Sequence, residues 1–303
     1  MDIYLPIAGQ SVNALLIIAL GGVVGLLSGM FGVGGGFLTT PLLIFYGIPP
    51  TVAVASATTQ ITGASVSGVV AHLRRGGVDF KMGGVMTAGG AVGSVVGAGL
   101  FRLLQKTGQI DLVVGGLYVV LLGSIGALML KDALIALKVI IPTASATPRP
   151  HHNRWVATLP LRWRFYASGL YISPLAPLAL GFVAGALTVL LGVGGGFILV
   201  PAMIYVLGMA ARVVVGTSLI MILAVSAVTT LVHSMTTHAV DIVLAGLLLI
   251  GGVIGAQYGA ILATRLKPDL LRLGLAIVIL LVALRMALGL AWHPDEIYTI
   301  EYL

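Results

Sequence analysis

The hexapeptide Gly32-Val33-Gly34-Gly35-Gly36-Phe37 returns 160 positions later as Gly192-Val193-Gly194-Gly195-Gly196-Phe197, and a proline follows each copy at the same offset, Pro41 or Pro201. Both copies lie in apolar, uncharged stretches. A triglycine is a poor helix interior, because each glycine costs about 1 kcal/mol relative to alanine. Irregular backbone at membrane depth persists only where it is packed in protein or lines a cavity. A matched pair of breaks in two hydrophobic halves therefore points to a duplicated membrane transporter.

Composition removes the soluble alternative. The 303 residues are 59% hydrophobic and 8% charged, against roughly 25% charged in ordinary soluble domains. No Asp, Glu, Lys or Arg occurs from Ile3 to Leu73, a run long enough for three helices of about 20 residues. The net charge of +7 does not indicate nucleic acid, since the basic residues fall in loops between apolar segments. Absence of cysteine excludes disulfides and thiolate metal sites. Met1-Asp2-Ile3-Tyr4 lacks the positive n-region of a cleavable signal, so the first apolar segment is expected to be retained.

Apolar runs fall at 12–30, 35–48, 52–72, 83–104 and 111–130, then at 174–191, 195–208, 212–235, 242–264 and 269–290. The two sets align beyond the glycine run. His72 matches His233, Ser56 matches Thr217 and Asp79 matches Asp241, while Gly89, Gly90, Gly93 and Gly97 match Gly251, Gly252, Gly255 and Gly259. The expected fold is an all-α polytopic membrane protein of two inverted-topology repeats with Gly-broken or re-entrant helices. Its divisions are a first repeat over 1–130, a cytoplasmic or interfacial linker over 131–173, a second repeat over 174–290 and a tail over 291–303. Placing Arg74, Arg75 and Lys81 in the cytoplasm leaves only Arg102, Lys106 and Arg285 outside, provided each half crosses an odd number of times. The linker holds Trp155, Trp163, Phe165 and Tyr166 among Arg154, Arg162 and Arg164, which suits an interface with anionic headgroups.

If a short helix starts just after each triglycine, its N-terminus turns unpaired N–H groups and a positive dipole end toward the break, which is an anion site. The candidate binding residues are Gly34, Gly35, Gly36 and Phe37 with Gly194, Gly195, Gly196 and Phe197. Ser56, Thr59 and Gln60 in the first half and Thr217 and Ser218 in the second supply nearby hydroxyl and amide groups. Against this, glycines also permit tight helix crossing, and helix hydroxyls often bond their own i−4 carbonyl. Gln60 is harder to satisfy locally; Gln257 is a weaker candidate. His72 and His233 are candidates for a coupling proton, with solvation at a helix end as the plainer role. No metal spacing, Walker loop or central carboxylate is present, which disfavours an aspartyl-phosphate pump or a carboxylate-driven exchanger.

The block from Gly25 to Pro41 with its GVGGGF, its copy from Gly185 to Pro201, and the run Val215-Gly216-Thr217-Ser218-Leu219 resemble the sulfite exporter TauE/SafE family of bacterial membrane proteins. In the first half Ala55-Ser56-Ala57-Thr58-Thr59 departs from the Gly-Thr-Ser-Leu pattern. The resemblance implies export or uptake of a sulfur-containing anion such as sulfite, sulfoacetate or another sulfonate. Residues and resemblance together lead to a secondary transporter, with no enzyme activity and no cofactor, in the bacterial inner membrane. One repeat would rock against the other around a central anion, with a proton or sodium ion as coupling partner and a homo-oligomer left open. The rival readings are an anion channel and a non-transporting membrane scaffold.

Overall fold

A computed structural model describes residues 2–31, 36–74, 77–137, 160, 162–209, 211–263 and 268–291. The described residues form ten α-helices and two short hairpins. The first half carries β1 (Asp2–Leu5), β2 (Gln10–Asn13), α1 (Ala14–Phe31), α2 (Gly36–Phe45), α3 (Pro50–Arg74), α4 (Phe80–Lys106) and α5 (Ile110–Ala136). The second carries β3 (Trp163–Phe165), β4 (Leu170–Ile172), α6 (Leu175–Leu191), α7 (Gly196–Tyr205), α8 (Ala211–Thr236), α9 (Ile242–Ala263) and α10 (Pro268–Ala291). Five of the helices, α4, α5, α8, α9 and α10, contain stretches long and apolar enough to cross a bilayer. This is the all-α polytopic membrane architecture expected.

Helix directions follow from which residues touch. A Cβ at Gly21, Gly25 or Gly29 would lie 2.5, 2.2 or 2.2 Å from the carbonyl oxygen of Leu248, Gly252 or Ala256, so α1 runs parallel to α9. A Cβ at Gly89 or Gly93 would lie 2.1 or 2.0 Å from that of Leu178 or Phe182, so α4 runs parallel to α6. Counterpart helices run the other way. Thr59 meets Thr230, while a Cβ at Gly68 would meet Leu219, making α3 and α8 antiparallel. Gly115 lies against Leu290 and Gly126 against Leu280, which makes α5 and α10 antiparallel too. An axis perpendicular to the helices is what such pairing requires of two related halves.

These directions make α1 and α2 a hairpin. Because α1 runs with α9 and α3 runs against α8, α1 and α3 start on the same face of the bundle. α2 joins them and so returns to that face. Its ten residues rise about 15 Å, roughly half the hydrocarbon thickness of a bilayer. α6 and α7 repeat the arrangement from the opposite face. Glycine spacing creates the grooves: α1/α9 and α4/α6 approach backbone to backbone, as small residues allow in lipid.

Two elements differ from the sequence expectation. The residues before α1 form the hairpin β1–β2, with Leu5 and Val12 buried. Part of the 131–173 connection is also structured: α5 continues to Ala136, and β3–β4 buries Phe165 and Ile172. Trp155 and Arg154 lie outside the described residues.

Candidate functional site

The break in the second half is fully described. α6 ends at Leu191, and Gly192 closes it in the left-handed conformation, its N–H donating to the Thr188 carbonyl at 2.8 Å. Gly194 and Gly195 follow with φ of 71° and 74°, values a side chain would strain, and α7 starts at Gly196. The phenol of Tyr118, fully buried on α5, donates to the Leu191 carbonyl and so caps the broken end of α6. In the first half, α1 ends at Phe31 and α2 begins at Gly36; Gly34 and Gly35 lie outside the described residues.

The two short helices meet at their N-termini. The rings of Phe37 and Phe197 stack with centroids 4.5 Å apart and planes at 6°. A Cβ on Gly36 would lie 2.8 Å from the Val193 carbonyl oxygen and 2.0 Å from the Ile61 side chain. The same isoleucine faces Gly194, where a Cβ would lie 2.8 Å away. Gly192 through Phe197 are buried. The N–H groups of Gly196 and Phe197 have no hydrogen bond to another backbone group among the described residues; Ile198 and Leu199 both bond the Gly195 carbonyl. Desolvated N–H groups at a helix start attract negative charge.

Polar side chains near the breaks come from both halves, and in the second a Cβ on Gly195 would lie 3.4 Å from Thr188 Oγ1. The Thr39 hydroxyl donates to Gln60 Oε1 at 3.1 Å. Gln60 Nε2 in turn donates to the Leu248 carbonyl on α9 at 3.5 Å, and Gln60 is buried. Thr59 donates to the Ala55 carbonyl at 3.0 Å and lies 3.4 Å from the Thr230 hydroxyl; both threonines are half-buried. Thr40, on the next position of α2, reaches toward the second break, where a Cβ on Gly192 would lie 2.9 Å from its Oγ1. Sequence reasoning passed over Thr39 and Thr40; their only signal was two hydroxyls directly before Pro41 in an apolar run.

Ser56 and Thr217 serve the starts of α9 and α4. The N–H of Asp241 donates to the Ser56 hydroxyl at 3.2 Å, and that of Asp79 donates to the Thr217 hydroxyl at 2.9 Å. The aspartates cap α9 and α4, accepting from Leu244 N–H at 3.1 Å and Met82 N–H at 3.0 Å. Their second oxygens hold the hairpin tips. Asp241 accepts from Ile7 N–H at 3.2 Å, and Asp79 from Ser168 N–H at 3.0 Å and Ser168 Oγ at 2.6 Å. The two aspartates match in the repeat alignment, and the fold gives both the same role. Ser218 bonds its own helix at the Val215 carbonyl, 3.0 Å away.

His233 is buried at 1% exposure rather than solvated at a helix end. Its Nε2 lies 3.1 Å from the Val189 carbonyl oxygen, and its ring meets Phe101 edge-on at 4.9 Å. The His72 side chain is outside what the structure describes.

Comparison with known proteins gives the family of the chain. The family model of the sulfite exporter TauE/SafE matches residues 17–286. A probable membrane transporter protein of Xylella fastidiosa is 28% identical over 86% of this chain and 89% of its own length. The probable membrane transporter protein YjnA of Bacillus subtilis is 30% identical over 89% of this chain and 98% of its own. A shorter stretch, 30% of this chain and 20% of the relative, is 34% identical to sulfite exporter TauE/SafE family protein 3 of Arabidopsis thaliana. No solved structure matches. The chain therefore belongs to the sulfite exporter TauE/SafE family, as a multi-pass membrane transporter rather than an enzyme.

Proposed function

We propose that the protein is a secondary transporter that moves a small sulfur-containing anion, such as sulfite, sulfoacetate or another sulfonate, across the bacterial inner membrane by alternating access. The observation that carries this reading is the head-to-head meeting of α2 and α7 at Phe37 and Phe197. There the buried N–H groups of Gly196 and Phe197 lack a backbone partner among the described residues. Two helix N-termini pointing into one protein-enclosed centre favour an anion. Gln60 and Thr39 add a neutral polar wall. Binding is accordingly modest and reversible, as turnover requires. The name of the Arabidopsis relative supports sulfite as the first anion to try.

The stacked phenyl rings, both buried, close the centre and so favour alternating access over a standing pore. The test is sulfite counterflow in proteoliposomes. A transporter shows saturable uptake that internal sulfite accelerates. Conductance without acceleration supports a channel instead. Absence of flux for sulfite, sulfoacetate and carboxylates alike supports a scaffold. His233 is the candidate for a coupling proton whose side chain is described. Flux with unaltered pH dependence in the His72→Gln, His233→Gln double variant would remove that role.

A further inference from the structure

The two glycine grooves join helices from different halves. α1 is locked to α9 along Gly21, Gly25 and Gly29, and α6 to α4 along Gly181 and Gly185, where a Cβ would lie 2.1 and 2.0 Å from the Met86 and Gly90 carbonyl oxygens. Backbones this close do not slide without separating. If the first five helices moved as one block against the last five, both grooves would have to shear.

The aspartate clamps tie the same combinations together. Asp241 begins α9, and it holds Ser56 on α3 and the tip of the hairpin that leads into α1. Asp79 begins α4, and it holds Thr217 on α8 and the tip of the hairpin that leads into α6. Two apolar clusters lie largely within these combinations, while a third, with Val24, Phe37, Val54, Leu190 and Phe197, spans both. One apolar cluster gathers Leu5, Val12, Ile17, Ile48, Val52 and Leu248, from the first hairpin, α1, the turn before α3, α3 and α9. Its counterpart gathers Phe165, Ile172, Met82, Met203, Val214 and Met221, from the second hairpin, α4, α7 and α8, and is joined by Ile61 of α3.

We infer that the units that move in transport are two exchanged bodies, α1–α3 with α9 and α6–α8 with α4, and that the anion passes along the seam between them, where Thr59 and Thr230 face each other. This rests on the alternating-access reading above, and it replaces the rocking of one sequence repeat against the other. Each body keeps its glycine groove and its clamp intact through the cycle. The seam consists of the phenyl stack, the 3.4 Å Thr59–Thr230 approach, the Gly68–Leu219 contact and the approaches of Gly36 to the Val193 carbonyl and of Gly192 to that of Val54. α5 and α10, antiparallel to each other, form the frame against which the bodies turn. Rigid bodies that turn against each other across a packed seam match the known modes of domain motion.

The native chain has no cysteine, so pairs of introduced cysteines report cleanly. Spin labels on Ile7→Cys with Ile242→Cys, and on Ala167→Cys with Phe80→Cys, join different repeats within one body. Labels on Ile7→Cys with Met235→Cys, and on Ala167→Cys with Leu73→Cys, join the two bodies across the seam on opposite faces. Distances are measured in lipid nanodiscs with and without sulfite. The first two pairs keep one narrow distance in all conditions. The seam pairs show two populations that shift in opposite senses, one face widening as the other closes. Broadening of the within-body pairs together with the seam pairs overturns the exchange, and so does invariance of the seam pairs. The outcome is separable from the anion assignment. Two-population seam distances without sulfite flux would refute sulfite and keep the bodies; sulfite flux with mobile within-body pairs would do the reverse. Cross-linking Gly68→Cys to Leu219→Cys stops flux, whereas cross-linking Ala167→Cys to Phe80→Cys leaves it running.

Discussion

Phe37 and Phe197 occupy matching positions in the duplicated motif and stack almost parallel, 4.5 Å between ring centres, where the two half-length helices meet. Neither ring is exposed beyond 2%. A residue that touches its own counterpart lies beside the axis relating the halves. The contact therefore sets where the two helix starts converge and how far apart they stand.

Exchange of either ring should act on both helix ends. Aromatic pairs contribute about 0.5–1.5 kcal/mol beyond area burial. A double-mutant cycle on Phe37→Leu and Phe197→Leu, read from unfolding in detergent, is expected to return a coupling in that range. Each single variant should fold yet lose sulfite flux. Zero coupling would remove the ring contact from the account.

Gly195 sits at φ 74° as the residue before α7. Gly195→Ala is expected to cost about 1–2 kcal/mol through backbone strain and to displace the N–H groups behind it. Gly99→Ala is the control, since a Cβ there meets nothing within 4 Å. That change should leave stability equal or higher by up to about 1 kcal/mol. Thermal unfolding separates the two.

The grooves should be intolerant of one carbon. A Cβ at Gly185 would sit 2.0 Å from the Gly90 carbonyl oxygen, and one at Gly25 would sit 2.2 Å from that of Gly252. Gly185→Ala and Gly25→Ala are each expected to lose about 1–3 kcal/mol by overpacking. Gly84→Ala, in open space on α4, should not. Comparable melting temperatures for all three would contradict the close backbone contact.

Removing either clamp should cost similar amounts because the two are built alike. Asp79→Ala and Asp241→Ala each lose an N-cap worth about 0.5–2 kcal/mol, together with the bond to a hairpin tip. Asparagine retains the capping oxygen, so Asp79→Asn and Asp241→Asn are expected to stay closer to the parent. Chemical denaturation in mixed micelles checks the order.

Gln60 has Met221 as its counterpart in the second half. Gln60→Met takes the acceptor from Thr39 and the donor from the Leu248 carbonyl. Sulfite KM should rise several-fold with the protein still folded. An unchanged KM would confine Gln60 to holding α2, α3 and α9 together.

Much of this architecture was legible because lipid leaves few ways to satisfy a backbone. Repeated glycines at 32–36 and 192–196 marked the breaks, and the spaced glycines on α4 and α9 marked the close crossings. The hairpins were not legible: β3 and β4 have three residues each, too few for a period to appear, and 2–13 reads as a continuation of the apolar run. Ser56 and Thr217 were visible as paired hydroxyls. Their partners, however, are backbone N–H groups 185 and 138 residues away, a relation no local pattern records. His233 looked solvated from its place at a segment end; tertiary packing against Phe101 and Val189 buries it.

The central claim is that the buried amides at the start of α7, which lack a backbone partner among the described residues, hold the anion. Selective 15N labelling of glycine and phenylalanine makes those amides visible by NMR in nanodiscs during a sulfite titration. The Gly196 and Phe197 resonances are predicted to move together and saturate at one affinity, equal to that governing flux. Saturating shifts elsewhere, with Gly196 and Phe197 unmoved, would contradict it.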